Sequence, residues 1–256
     1  MGVFFTLVRR ELGAAFNSLT GYVVVAITLL LAGFGLMDIL QRLNADRTPS
    51  PIPEIFFADG IVFWLILILT TPVITMRTFA EERRSGTLAA LLTTPASATA
   101  VVWAKFLSTW IVWVVFWLLF TLFPFLTVQR LGTPGDARLG DPSILWGGLC
   151  FIAVSGLLHV AIGILCSCVT RSSALAALLA FICLLAMTAA GGAMESLPIE
   201  SWEWLGWLRE PAAHLRTFGH LQDFAAGILD SRPIVLYGTG TLLCLGLAVL
   251  SVEGQE

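Results

Sequence analysis

Long apolar runs alternate with short polar clusters along this chain, and each run is about as long as a lipid bilayer is thick. The runs cover residues 21–37, 60–75, 101–128, 144–169, 174–194 and 234–252. Hydrocarbon about 30 Å thick needs roughly 20 helical residues to cross it. The pattern predicts an all-α, polytopic transmembrane helical bundle with about six spans, forming a single membrane domain over 1–256. The third run is the clearest, because from Phe106 to Val128 it carries no charge and fifteen Leu, Ile, Val or Phe residues. Each of those favours insertion by about 0.3–0.6 kcal/mol near the middle of the membrane. The second is the least regular. Pro72 removes a backbone donor near its end and Arg77 follows closely, which predicts a kink or an early exit.

The connecting segments carry patterns of their own. Before the first span, Phe4, Phe5, Leu7, Val8, Leu12 and Phe16 are interleaved with Arg9, Arg10, Glu11 and Asn17 at helical spacing. That predicts an interfacial helix over 1–20 that meets the first span at an angle. Between spans two and three, segment 77–95 is dense in charge, with Glu81, Glu82, Arg83 and Arg84 followed by Ser85, Gly86 and Thr87. Leu88, Leu91 and Leu92 follow at i, i+3, i+4. Thr78 and Glu81 have capping-box spacing, Glu81 and Arg84 can pair, and Thr94 with Pro95 suits the start of the next helix. The segment reads either as an elbow at the membrane edge or as a docking element for a soluble partner. The last connection, 195–232, is too long for a turn. Trp202, Trp204 and Trp207 suit a membrane boundary, and Phe218, Leu221, Phe224, Ala225, Ile228 and Leu229 recur at helical spacing, so two short surface helices are expected before span six.

Composition narrows the function classes. With 57% hydrophobic and 12% charged residues and a mean hydropathy of +0.90, the chain lies far from the roughly 25% charge of soluble domains. A net charge of −3 without a basic run gives no footprint for nucleic acid. The five cysteines fall inside apolar runs, where thiols behave as small hydrophobes, and Cys166 and Cys168 lack companions at zinc spacing. Neither a metal nor a cofactor is expected in this chain. No phosphate-binding loop, dinucleotide fingerprint or H-E-x-x-H motif occurs, so any nucleotide hydrolysis needs another polypeptide. His159 is the one ionisable group near the middle of a run. It suits an interhelical hydrogen bond or a place on a transport or proton pathway. Ser155, four residues earlier on the same face, is poorly placed to act with it as nucleophile and base. Lys and Arg divide seven against seven between the two sides, so charge leaves the orientation open.

Three separated segments resemble a known family, the type-2, export-class permease subunits of ABC transporters, and within it the short six-span permeases associated with gliding motility. The first is Arg10-Glu11-Leu12 with Phe16-Asn17-Ser18-Leu19-Thr20-Gly21-Tyr22, in which Leu19 replaces the usual proline. The second runs from Met76 to Thr87, then through Leu91-Leu92-Thr93-Thr94-Pro95 to Lys105-Phe106. The third comprises His220, Phe224, Gly227, Asp230 and Arg232, with Tyr237 beyond; Pro233 and the lack of a serine after Tyr237 depart from the family pattern.

The resemblance implies a permease in the bacterial inner membrane with both termini cytoplasmic. It pairs with a second permease chain and with ATP-binding cassette subunits that hold ATP and Mg; an auxiliary periplasmic or membrane subunit is compatible with the family. It makes 77–95 a cytoplasmic coupling segment in which Phe79, Glu81, Glu82, Arg83, Arg84, Ser85, Gly86, Thr87, Leu88 and Leu91 contact the partner. The third segment becomes an external motif. Two readings compete with an ATP-driven exporter: a scaffold or force-transmitting subunit driven by a partner ATPase, and a secondary transporter or channel that works alone. Sparse midplane charge suits a hydrophobic or amphiphilic cargo better than an ion.

Overall fold

A computed structural model describes residues 2–45, 61–88, 97–131, 142–196, 217–225, 228 and 230–254. All regular structure among the described residues is helical: α1 Gly2–Phe16, α2 Leu19–Ala45, α3 Ile61–Thr75, α4 Ala80–Ser85, α5 Ala98–Leu131, α6 Pro142–Val169, α7 Ser173–Ser196, α8 Thr217–Ala225 and α9 Ser231–Glu253. Among the described residues, six stretches are long and apolar enough to span a membrane, as the runs predict. The 15 residues of α3 reach only about 22 Å at 1.5 Å per residue, so its candidate span, Phe63–Ser85, continues through a turn into α4. Helix α3 ends three residues after Pro72. Of the two surface helices expected before the last span, α8 is one; Trp202, Trp204 and Trp207 lie outside the described residues.

Helices α3 and α6 form the interior, with more than half of each span buried, whereas α2, α7 and α9 are about one-fifth buried and turn apolar faces outward. That inversion suits lipid, which is as apolar as the side chains it meets. The core is aromatic. Trp113 and Trp117 of α5 are fully buried with Phe63 and Phe120, and their rings meet edge-on or tilted at 5.1–5.7 Å, the separation that aromatic quadrupoles favour. Helix α6 admits this bulk through small residues. A Cβ on Gly156 would stand 2.1 Å from the Trp113 ring, and one on Gly163 2.2 Å from Thr75 Oγ1. Ser155, His159, Gly163 and Ser167 recur every fourth residue on α6 and are all buried, which makes a narrow ridge against which neighbouring helices approach closely.

The two ends of the bundle collect different elements. At one end meet α1, α4, the start of α5, and the ends of α6 and α9, joined by Glu11–Lys105, Lys105–Glu82 and Ser251–Cys168 contacts. At the other, α8 packs on the starts of α6 and α9. Asp230 caps α9 there by accepting a hydrogen bond from the Arg232 amide at 3.0 Å. Pro233 is harmless in the first turn, where no amide needs an intrahelical partner.

Candidate functional site

The charged segment between spans two and three sits where α3 stops. Thr70, Thr71 and Thr75 each donate their hydroxyl to the carbonyl four residues back, and Pro72 lies among them, so the helix reaches Thr75 with its side-chain hydroxyls internally satisfied. Residues 76–79 then turn, and α4 begins at Ala80. The expected capping box does not form: Thr78 donates to the Thr75 carbonyl at 2.8 Å, and Phe79 occupies the cap position without a side-chain cap of its own. The cap comes from another span. Ser167 Oγ accepts the amides of both Phe79 and Ala80 at 3.0 Å and donates to the Met76 carbonyl at 3.2 Å. One buried hydroxyl thus satisfies donors that a helix start always leaves open. Arg83 donates to the Cys168 carbonyl in the last turn of α6, where carbonyls lack partners and the helix dipole favours a cation.

A buried ammonium fixes the other side. Lys105 is 3% exposed and stands 2.9 Å from Glu82 Oε1 and 3.4 Å from Glu11 Oε2, with its ammonium 5.3 Å from the centre of the Phe79 ring. Arg10 reaches Glu11 at 2.7 Å. Two carboxylates and an aromatic face therefore compensate the one cation that the apolar third run admits, and they come from three elements, α1, α4 and the turn before α4. Beneath them a cleft of about 540 Å³ opens between α1, α2, α3 and α5, polar at Glu11, Arg77 and Lys105 and apolar at Ile74, Val112 and Phe116.

These contacts divide the expected partner-facing residues into two groups. Phe79 and Leu88 are buried, and Glu82 and Arg83 are spent on Lys105 and α6. Glu81, Arg84, Ser85, Gly86 and Thr87 are exposed. Glu81 lies 3.8 Å from Arg77 rather than pairing with Arg84. Gly86 ends α4 at φ +74°, a left-handed conformation in which a Cβ is strained. Space around it is open, so within this chain the glycine serves the turn, not a close approach. Leu91 lies outside the described residues, as does Gly227 of the third motif.

The midplane pair does not form a catalytic couple. Ser155 donates to the Ile152 carbonyl at 3.3 Å, while His159 Nδ1 lies 2.7 Å from the Ser155 carbonyl in its own helix, instead of bridging to a neighbour. Satisfying that carbonyl places the hydrogen on Nδ1 and leaves Nε2 an acceptor. Nε2 is buried without a hydrogen-bond partner among the described residues, and the ring stacks on Trp113 at 6.3 Å. The third motif is packing and capping at the far end. Phe224 is fully buried against Phe151 and through it Tyr237, His220 Nδ1 lies 3.4 Å from the Tyr237 hydroxyl, and Asp230 caps α9.

Two contributors carry signals in the sequence that point to them. Lys105 is an ionisable residue early in an apolar span, a position that always needs a partner. Ser167 extends the i+4 series through Ser155, His159 and Gly163, which marks the tightly packed face of α6.

A six-span bundle with a polar, partner-accessible turn after span two is the architecture on which the comparison with known families bears. A family model described as ABC-2 family transporter protein matches residues 39–210, well over half of the chain. The chain belongs to the ABC-2 transporter family. The permease is thus a bilayer-spanning transport component, of a family that works with a separate ATP-binding subunit and is itself typically non-catalytic. The match includes α3, α4, the Ser167 cap and Lys105, and excludes α1, α8 and α9. No curated protein matches the chain.

Proposed function

We propose that this permease is the membrane half of an ATP-driven exporter in which two permease chains, identical or related, associate with two ATP-binding subunits. The observation that carries this reading is the polar turn that exposes Glu81, Arg84, Ser85, Gly86 and Thr87, reversed at Gly86 and anchored from behind by Ser167 and Lys105. A soluble subunit that closes on ATP needs such a rigidly backed, hydrophilic projection to push on. ATP shifts the permease between inward-open and outward-open states only if the partner's contacts differ between them. In this reading α1, α4 and the end of α9 face the cytoplasmic side of a bacterial inner membrane. A hydrophobic or amphiphilic cargo fits a cleft that is polar at one end and apolar at the other. Kinship with the gliding-motility permeases rests on the three motifs.

Co-purification with the ATP-binding subunit tests the docking surface. Arg84→Glu reverses an exposed charge, and Gly86→Val strains a left-handed backbone by about 1–2 kcal/mol. Each is expected to cut recovery of the subunit at least fivefold while the permease stays in the membrane; Gly86→Asn, which tolerates that backbone, should restore it. Recovery unchanged in both variants removes the turn from the interface. Nucleotide-independent transport by the permease alone in liposomes would establish a secondary transporter instead.

A further inference from the structure

The coupling helix α4 is hydrogen-bonded to a span that is distant from it in sequence. It has six residues, far below the roughly 12–15 at which an isolated helix begins to hold, so its geometry is set by what it docks on. On α6 the helix finds two hydrogen-bonded supports, and the end of α3 just before it packs on the same span. Thr75, the last residue of α3, lies over Gly163 with no room for a Cβ; Ser167 takes the Phe79 and Ala80 amides; Arg83 takes the Cys168 carbonyl. The Ser167 bonds join backbone amides to a short side chain, so they fix position, whereas Arg83 reaches α6 through a long one. The tie to α5 runs instead through Glu82 and Lys105, two long side chains able to follow a shift of a few ångströms. The tie to α3 is the turn at 76–79.

We infer that Ser167 is a positioning residue that makes α4 and the end of α6 move as one body, so that a push on the coupling turn is delivered directly to α6. The inference rests on the proposed role of Glu81–Thr87 as the partner's contact. Motion delivered to α6 acts along its packed ridge, on which Gly163, His159 and Ser155 lie one, two and three turns from Ser167. The last span shares the same anchor, since the Ser251 hydroxyl stands 3.5 Å from the Cys168 carbonyl.

Amide hydrogen exchange on the purified complex of permease and ATP-binding subunit, with and without a non-hydrolysable ATP analogue, tests this. In the wild type, the analogue should change exchange in 80–88 and in 166–172 together. Ser167→Ala should speed exchange at Phe79 and Ala80 on the order of tenfold, as expected for losing the acceptor of both. It should preserve the analogue's effect on 80–88 and abolish it in 166–172. Ser167→Thr, which keeps the hydroxyl, should restore the joint response. An undiminished response of 166–172 in Ser167→Ala overturns the inference. Failure of the wild-type permease to bind an ATP-binding subunit, or to respond to the analogue anywhere, overturns the proposed function instead, and exchange at Phe79 and Ala80 in the permease alone still reports whether Ser167 holds them.

Discussion

The two ends of the bundle are built from different interactions. At the coupling end, elements far apart in sequence are joined by directed polar bonds: Ser167 to two amides, Arg83 to a carbonyl, Lys105 to two carboxylates. At the far end, Phe151, Phe224, Tyr237 and His220 form an aromatic cluster with edge-on geometry. Polar bonds set angle and register, and they can be exchanged as a partner moves. Aromatic packing seals, and it tolerates small rotations while resisting separation. The coupling end is thus suited to transmitting a push and the far end to holding the helices together while it passes.

The sharpest way to break this contrast is to remove the seal. Phe224 is fully buried and, with Leu221, holds the nine-residue α8 on α6. Phe224→Ala should cost about 3–4 kcal/mol, read as lowered resistance to unfolding in mixed micelles. Per correctly folded molecule, stimulation of the partner's ATP hydrolysis should remain within about twofold of wild type. A selective loss of stimulation would show that the far end also takes part in transmission.

At the coupling end, Lys105→Met leaves Glu11 and Glu82 without the cation they share, with Arg10 still paired to Glu11. Removing one member of a buried ionic set costs about 3–5 kcal/mol. Both carboxylates here are about one-quarter exposed, and water screens them, so about 2 kcal/mol is expected. The test is compensation. The triple variant Lys105→Met, Glu11→Gln, Glu82→Gln removes all three charges and should recover most of the stability. It should still respond poorly to ATP, because the link between α1, α4 and α5 is gone. Full recovery of both properties would reduce Lys105 to a structural counter-ion.

This contrast also explains what could be read in the sequence. The six spans were legible because lipid imposes one rule on every residue of a run, and a 20-residue apolar stretch has few other uses. The charged turn was legible as a place. Its internal bonding was not, since Thr78 and Ser167 compete for the same helix start and only the packing of α6 on α3, allowed by Gly163, decides for Ser167. Likewise, the family resemblance turns Glu81, Glu82, Arg83 and Arg84 all toward the partner, whereas the backbone turns Glu82 and Arg83 inward. Local spacing describes pairs within four residues; these partners lie 23 and 85 residues away.

The smallest expected effect sharpens the comparison most, because it concerns a motif residue that carries charge at the end assigned to packing. Asp230 accepts the Arg232 amide at the start of α9, and its carboxylate faces the positive end of a 23-residue helix. Asp230→Ala loses bond and charge together, about 1 kcal/mol. Asp230→Asn keeps an acceptor oxygen and loses only the dipole interaction, a few tenths of a kcal/mol that added salt should erase. If capping is the whole role of Asp230, stability follows the order Asp, Asn, Ala, and ATP-linked activity follows stability in parallel. A residue read by an external ligand or subunit would behave otherwise: Asn would lose activity as fully as Ala while keeping nearly all of the stability. That outcome would move the far end from seal to site.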